Sequence, residues 1–201
     1  SAHKKYIDKK CEIVICSKGI EISSGKLLSD IINSILPNIN YYILSGPSFA
    51  HEVANNKPAA LVISSKNIKN SIKVSNYISS KNFRLYPSDD IIGVQLGGAI
   101  KNIYAISSGI VSGLNYGENA VAAILTRAIS EMVRISIALG GNKESIFGLS
   151  GVGDILLTCT SKHSRNFTLG VAIGEGDTME QIIENRRTIA EGYYTPQAIY
   201  N

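Results

Sequence analysis

Between residues 91 and 114 the chain carries an almost unbroken apolar stretch, with Lys101 and Asn102 near its centre and Gln95 a little earlier. A stretch of this kind folds either as a membrane span or as a helix buried in a protein interior. The lysine weighs against the first. A charge at the middle of a span costs roughly 2.5–3.5 kcal/mol on insertion scales. No second apolar stretch of comparable length exists, and the N-terminal residues do not read as a signal peptide. The expectation is a buried helix in a globular protein, with no membrane insertion.

That helix must then accommodate its lysine. A lysine among apolar neighbours is either solvated by something specific or loses its proton. Gly98 and Gly97 lie three and four positions before Lys101, on the same helical face. The bare face lets another backbone, or a small molecule, approach the ammonium. On one reading, Lys101 is a cation in a crevice, suited to acid–base work on an anionic or carbonyl substrate. On the other, the glycines mark a helix crossing and the lysine snorkels to solvent.

A chain of 201 residues with 44% hydrophobic and 18% charged residues has enough material for a proper core. The net charge of +4 includes a cluster at Lys4, Lys5, Lys9 and Lys10, with Tyr6 as the one aromatic among them. It reads as a solvated end and not as a nucleic-acid surface. Cys11, Cys16 and Cys159 are odd in number and fit no metal spacing. The expectation is a reducing cytoplasm, no disulfides and no metal.

The first half alternates strand-like and helix-like runs. Strands are expected at 12–17, 41–44, 60–64 and 83–86, and helices at 26–36, 49–55 and 68–79. Ser48 is placed as the N-cap of the second helix, with Glu52 in its first turn. This alternation predicts an α/β layer with a mainly parallel sheet, whose ligands bind beyond the carboxyl ends of the strands. Lys18-Gly19 and Ser45-Gly46-Pro47-Ser48 fall at such ends. No G-x-G-x-x-G follows a strand in this half, so a dinucleotide fold would here lack its first βαβ unit and phosphate-binding turn.

From Ser88 onward the chain reads as all-helical, with helices at 91–111, 120–139, 167–173 and 179–184. Gly113, Gly117, Gly140, Gly141 and Gly176 are assigned to the connections. The class change near Pro87 divides the chain into an α/β part, 1–87, and a helical part, 88–201. Gly151-Val152-Gly153-Asp154 sets a carboxylate beside flexible glycines. Ser164-Arg165-Asn166 opens a helix whose backbone N–H groups and guanidinium suit a phosphate, although a plain N-cap beside a surface arginine gives the same triplet.

Taken together, several segments resemble the bacterial-type NAD(P)-dependent glycerol-3-phosphate dehydrogenase family. They are Ser17-Lys18-Gly19-Ile20-Glu21, Ser45-Gly46-Pro47-Ser48-Phe49-Ala50, the block from Gly93 to Asn102, Gly151-Val152-Gly153-Asp154 with Leu157-Thr158-Cys159-Thr160, Ser164-Arg165-Asn166, and Glu191-Gly192-Tyr193. The likeness covers roughly residues 11 to 195 and is most specific around Lys101. It is to an internal piece of the family, lacking the N-terminal dinucleotide fingerprint and the C-terminal end. Tyr194 stands where the family usually carries arginine.

The resemblance implies an incomplete Rossmann-like parallel sheet, the remnant of an NAD(P)-binding domain in 1–87. A helical substrate and catalytic domain of the 6-phosphogluconate dehydrogenase C-terminal type would follow in 88–201. It implies NAD or NADP as cofactor and reversible reduction of glycerone phosphate to sn-glycerol 3-phosphate, a reaction serving glycerophospholipid synthesis in the cytoplasm. Lys101 would be the catalytic lysine. Lys18, Gly46, Ser48, Lys101, Asp154, Ser164, Arg165 and Asn166 would bind substrate. Lys18, Ala50, Arg165, Ile189 and Glu191 would touch the cofactor. A homodimer is compatible with this reading. Two alternatives stand beside it: a related hydroxyacid dehydrogenase, and a truncated, non-catalytic chain acting only as a folded or oligomerisation module.

Overall fold

Four strands, β1 (Glu12–Ile15), β2 (Asn40–Ser45), β3 (Ala59–Ser64) and β4 (Phe83–Ser88), form one sheet in the order β1-β2-β3-β4. The fold is that of a computed structural model describing residues 6–8 and 10–185. Helices α1 (Leu28–Ile35), α2 (Ala50–Ala54) and α3 (Ile68–Ile78) join the strands. Then follow α4 (Ile91–Gly113), α5 (Glu118–Ala138), α6 (Lys143–Phe147), one π-helical turn (Leu149–Gly153), α7 (Asp154–Thr160), α8 (Arg165–Glu175) and α9 (Met179–Asn185). This is the expected class, a sheet-bearing first half and a helical second half. The basic residues Lys4, Lys5 and Lys9 lie outside the described residues.

Two strand pairs are parallel, β1 with β2 and β3 with β4, but β2 and β3 run antiparallel, with Ile43 opposite Ser64 and Ser45 opposite Val62. The connection explains the exception. A parallel crossover needs a helix long enough to carry the chain back along the sheet. The α2 helix has five residues, none buried, so the chain turns and returns beside β2. Pro87 is tolerated within β4 because β4 is an edge strand.

Alternation along the strands gives the sheet two apolar faces. Tyr42, Leu61, Ile63 and Leu85 pack with Val74 of α3. Tyr41 and Ile43 face the other way, against Ile91 and Val94 at the start of α4 and Ile32 of α1. Asp90 anchors that start by accepting from the N–H groups of Gly93 and Asn142, each at 2.9 Å. Gln95 grips Ser29 at the start of α1, accepting from its N–H at 3.0 Å and donating to its hydroxyl at 2.9 Å. Further along, Leu96, Ala99, Ile100 and Ala105 join Leu125, Met132, Ile146 and Ile155 in the helical core. The α4 helix thus belongs to both halves, which is why nearly all its faces are apolar.

Its C-terminal half meets α8 backbone to backbone. A Cβ on Gly109 would lie 2.1 Å from the Phe167 carbonyl oxygen, and one on Gly113 would lie 2.3 Å from that of Val171. From the other side, Gly170 and Gly174 would meet the Ile106 and Ile110 carbonyls at 2.0 and 2.4 Å. Both helices carry glycine at four-residue spacing, and the contacts advance together along both, so the helices run in the same sense. Gly113 therefore belongs to a helix interface and not to the connection assigned to it from sequence. The segment 143–160, to which the sequence reading assigned no helix, is largely helical. Its glycines allow the tight packing of the π turn: a Cβ on Gly151 would lie 2.0 Å from the Ile146 carbonyl oxygen.

Candidate active site

Lys101 does not snorkel. It is 7% exposed, and its ammonium donates to Asp154 Oδ1 and, at 3.0 Å, to Thr158 Oγ1. The Thr158 hydroxyl in turn donates to Asp154 Oδ1 at 3.3 Å. Asp154 and Thr158 lie four residues apart on α7, on one helical face, which is what lets both reach the same lysine. Cys159 ties α7 to α4: its thiol donates to the Lys101 carbonyl at 3.9 Å and its own carbonyl accepts from the Ser108 hydroxyl at 2.8 Å. Burial pushes the Cys159 thiol up to about 12, so it stays neutral packing.

The carboxylate of Asp154, 1% exposed, carries a second cation. Lys18 reaches across from the loop after β1, its Nζ 2.7 Å from Asp154 Oδ2. Asp154 therefore bridges two ammoniums, one from each half of the fold. Burial is the main influence on Lys101 and lowers it to about 8; Asp154 opposes this, and Lys18 adds to the lowering. The cation in a crevice expected from sequence is thus paired, with its proton poised to leave within reach of neutral pH.

The two glycines before Lys101 have separate partners. A Cβ on Gly97 would lie 2.2 Å from the Ser150 carbonyl oxygen, so Gly97 admits the π turn that carries Asp154 to its place. Gly98 admits Ser45 and the methylene stem of Lys18, at 2.8 and 3.3 Å from the same notional atom. The expected close approach of another backbone holds at Gly97, whereas the bare face at Gly98 is filled by side chains from the sheet half.

Gly46 follows β2 with φ of 141°, a region open to glycine, and a Cβ there would stand 3.0 Å from Leu61 Cα. Ser48 is not the N-cap of α2. The cap position is Phe49, which gives no side-chain hydrogen bond, and the Ser48 hydroxyl turns back to the Gly46 carbonyl at 3.4 Å. Pro47, between them, approaches the place of a Cβ on Gly153 at 3.6 Å, joining this loop to the π turn. Ala50 is exposed at the first position of α2.

Ser164 caps α8 as expected, accepting from the Phe167 N–H at 3.2 Å. Its hydroxyl proton remains to be donated. Asn166 is buried, and Arg165 is exposed at the first turn. Because α8 runs alongside α4 in the same sense, this anion-suited helix start opens toward the Lys101 end of the seam. His163, just before it, meets His51 of α2 at a tilt of 53°, with 5.5 Å between ring centres; Phe49 stacks on His51 at 5.8 Å and meets His163 edge-on at 6.1 Å. Ile189 and Glu191 lie outside the described residues.

Sequence reasoning gave no role to Thr158, to the α4–α8 glycines or to the His51–His163 contact. The first two leave a signal, an Asp and Thr four apart and two glycine pairs at the same spacing. The third leaves none. No cluster of three or more metal-ligating side chains occurs among the described residues, and no helix among them is long and apolar enough to cross a membrane.

Known proteins similar to this chain fall in one family. The model of the NAD-dependent glycerol-3-phosphate dehydrogenase C-terminus matches residues 90–201, and that of the N-terminus matches residues 1–71. A glycerol-3-phosphate dehydrogenase (NAD(P)+) of Clostridium tetani (strain Massachusetts / E88) is 47% identical over 98% of this chain and 56% of its own length. One from Clostridium perfringens (strain 13 / Type A) is 46% identical over 98% of this chain and 60% of its own. The crystal structure of glycerol-3-phosphate dehydrogenase from Coxiella burnetii superimposes with a TM-score of 0.94 at 38% identity, over 99% of this chain and 61% of that one. The chain thus spans 56–60% of the length of these curated relatives. With two family models matched and the lysine–aspartate–lysine bridge in place, the chain belongs to the NAD-dependent glycerol-3-phosphate dehydrogenase family.

Proposed function

We propose that this chain carries the substrate-handling part of an NAD(P)-dependent glycerol-3-phosphate dehydrogenase, interconverting glycerone phosphate and sn-glycerol 3-phosphate. The observation that carries the reading is the buried Asp154 carboxylate held between Lys18 and Lys101. In the oxidising direction, neutral Lys101 takes the proton of the substrate C2 hydroxyl. Asp154 and Thr158 stabilise the ammonium that forms, and Lys18 draws electron density from the reacting oxygen. In the reducing direction, protonated Lys101 returns the proton to the carbonyl oxygen.

The phosphate is received at the start of α8 by Arg165, the Ser164 hydroxyl and Asn166, with the helix dipole adding to the attraction. Gly46 and Ser48 line the opposite wall. The donor set fits an anionic dinucleotide: Lys18 and Arg165 supply charge, and Ala50, small and exposed, leaves room beside them. Ile189 and Glu191 belong to the same proposed set. Held by these residues, a nicotinamide dinucleotide would supply the hydride exchange at C2. The division into 1–87 and 88–201, a homodimer and a cytoplasmic setting complete the proposal. The three cysteines are free thiols.

The test follows NADH absorbance with glycerone phosphate. Lys101→Ala should lower turnover by roughly 10²–10⁴-fold while calorimetric NADH affinity stays nearly constant. A fall of less than about tenfold, well short of the roughly 10²–10⁴-fold of a general acid–base group, would remove Lys101 from proton transfer. A second reading is a folded module without turnover. It predicts no heat of NADH binding to this chain.

A further inference from the structure

Ser45 ends β2 at 2% exposure, and its hydroxyl has no hydrogen-bond partner among the described residues. Folded proteins seldom leave a buried hydroxyl in that state, and each such group calls for a reason. Ser64 shares the condition, but in mid-sheet between Ile43 and Ser88. Ser45 differs in its neighbour. Its Oγ and the Cδ of Lys18 lie 2.8 and 3.3 Å from the point where a Cβ on Gly98 would sit, so hydroxyl and lysine stem share one glycine-lined recess.

We propose that Ser45 is a positioning residue for Lys18, accepting a hydrogen bond from its ammonium when bound substrate draws Lys18 off Asp154. The inference rests on the proposed reaction and deepens it. While Lys18 holds Asp154, its positive charge disfavours a proton on Lys101. Once Lys18 rests on Ser45, the carboxylate serves Lys101 alone, and the proton affinity of Lys101 rises as the substrate hydroxyl must give up its proton. Ser45 touches no reacting atom on this account. It gives Lys18 an ordered second position, which solvent would not.

The experiment is a double-mutant cycle, Ser45→Ala against Lys18→Met, read by calorimetric affinity for glycerol 3-phosphate, by KM and kcat, and by the urea midpoint. Ser45→Ala should weaken glycerol 3-phosphate binding by roughly tenfold or more, the usual weight of a hydrogen bond to a charged group. The urea midpoint should stay level or rise, because an unpartnered hydroxyl is removed. Ser45→Thr should restore binding, and in the Lys18→Met background Ser45→Ala should change nothing. Unchanged affinity in Ser45→Ala, or the same loss with and without Lys18, overturns the proposal. A crystal structure of Asp154→Ala decides independently of any ligand. It should show the Lys18 ammonium on Ser45 Oγ; Lys18 extended into solvent overturns the inference. Failure of the unsubstituted protein to bind glycerol 3-phosphate would count against the proposed function, with the Asp154→Ala structure still deciding the role of Ser45.

Discussion

The two walls of the site are held in different ways. On the helical side, α4 and α8 touch through glycine backbones, and the π turn sits on Gly97 in the same manner. On the sheet side, Lys18, Ser45 and the Phe49–His51–His163 rings meet through side-chain tips. Backbone contact leaves no slack, since neither partner can give way without moving a helix. Side-chain contact permits exchange of partners at little cost. The comparison assigns rigidity to the wall that holds Lys101 and the anion site, and adjustment to the wall from which Lys18 reaches in.

The sharpest way to break this contrast is to crowd both walls. Gly109→Leu drives a side chain into the Phe167 carbonyl, and a loss beyond the usual 1–3 kcal/mol of overpacking, or failure to fold, is expected by urea unfolding. Gly98→Ala meets only the Ser45 hydroxyl and the Lys18 stem, and should cost much less. Equal costs would end the distinction.

Next in size is the pH dependence of stability. Lys101 is lowered to about 8 in the folded protein, against an ordinary 10.5. Below pH 8 it is charged in both folded and unfolded states, and folding bears the full cost of burying the charge. Between 8 and 10.5 the unfolded chain holds more protons, so this group makes stability rise with pH, by at most about 1.4 kcal/mol per unit. Lys101→Met should abolish that rise in urea midpoints measured across the window. A rise that survives the substitution would assign it elsewhere.

Arg165→Lys probes the anion end of the rigid wall. Replacing a planar, two-pronged donor by a point charge should weaken glycerol 3-phosphate binding by roughly tenfold, measured by calorimetry, with NADH affinity changing less. The smallest effect belongs to the adjustable wall. His51→Ala should cost no more than about 1 kcal/mol of stability and show coupling to His163→Ala in a double-mutant cycle. Strictly additive losses would mean that the rings are neighbours without being partners.

How much of this was legible in the sequence follows the same division. The long apolar run around Lys101 read as a buried helix, and the alternation before Pro87 read as a sheet layer, because both rest on periodicities that burial enforces. The segment holding Asp154 was missed as a helix, since glycines at 148, 151 and 153 mimic a loop. Here they serve close approach, a tertiary demand that local propensity does not report. The β2–β3 reversal was hidden for a related reason. A short helix in the connection looks like the start of a crossover, and only its lack of a buried face shows otherwise. Ser48 matched an N-cap by residue type, yet its hydroxyl found the Gly46 carbonyl first. The likeness of short segments to a family placed the site residues where chemistry could be sought. The lysine–aspartate–lysine bridge itself spans 136 positions and belongs to the fold alone.

The glycine seam also works as a caliper. Glycines spaced four apart on both helices leave α8 a single seating on α4, because a slip by one residue would press side chains into carbonyls. The span between Lys101 on one helix and the Ser164-Arg165-Asn166 head of the other is thereby fixed by backbone, in steps of whole helical residues. On the proposed reading, this chain cannot stretch to a longer substrate by degrees. It could do so only by changing what projects from the two jaws, never the gap between them.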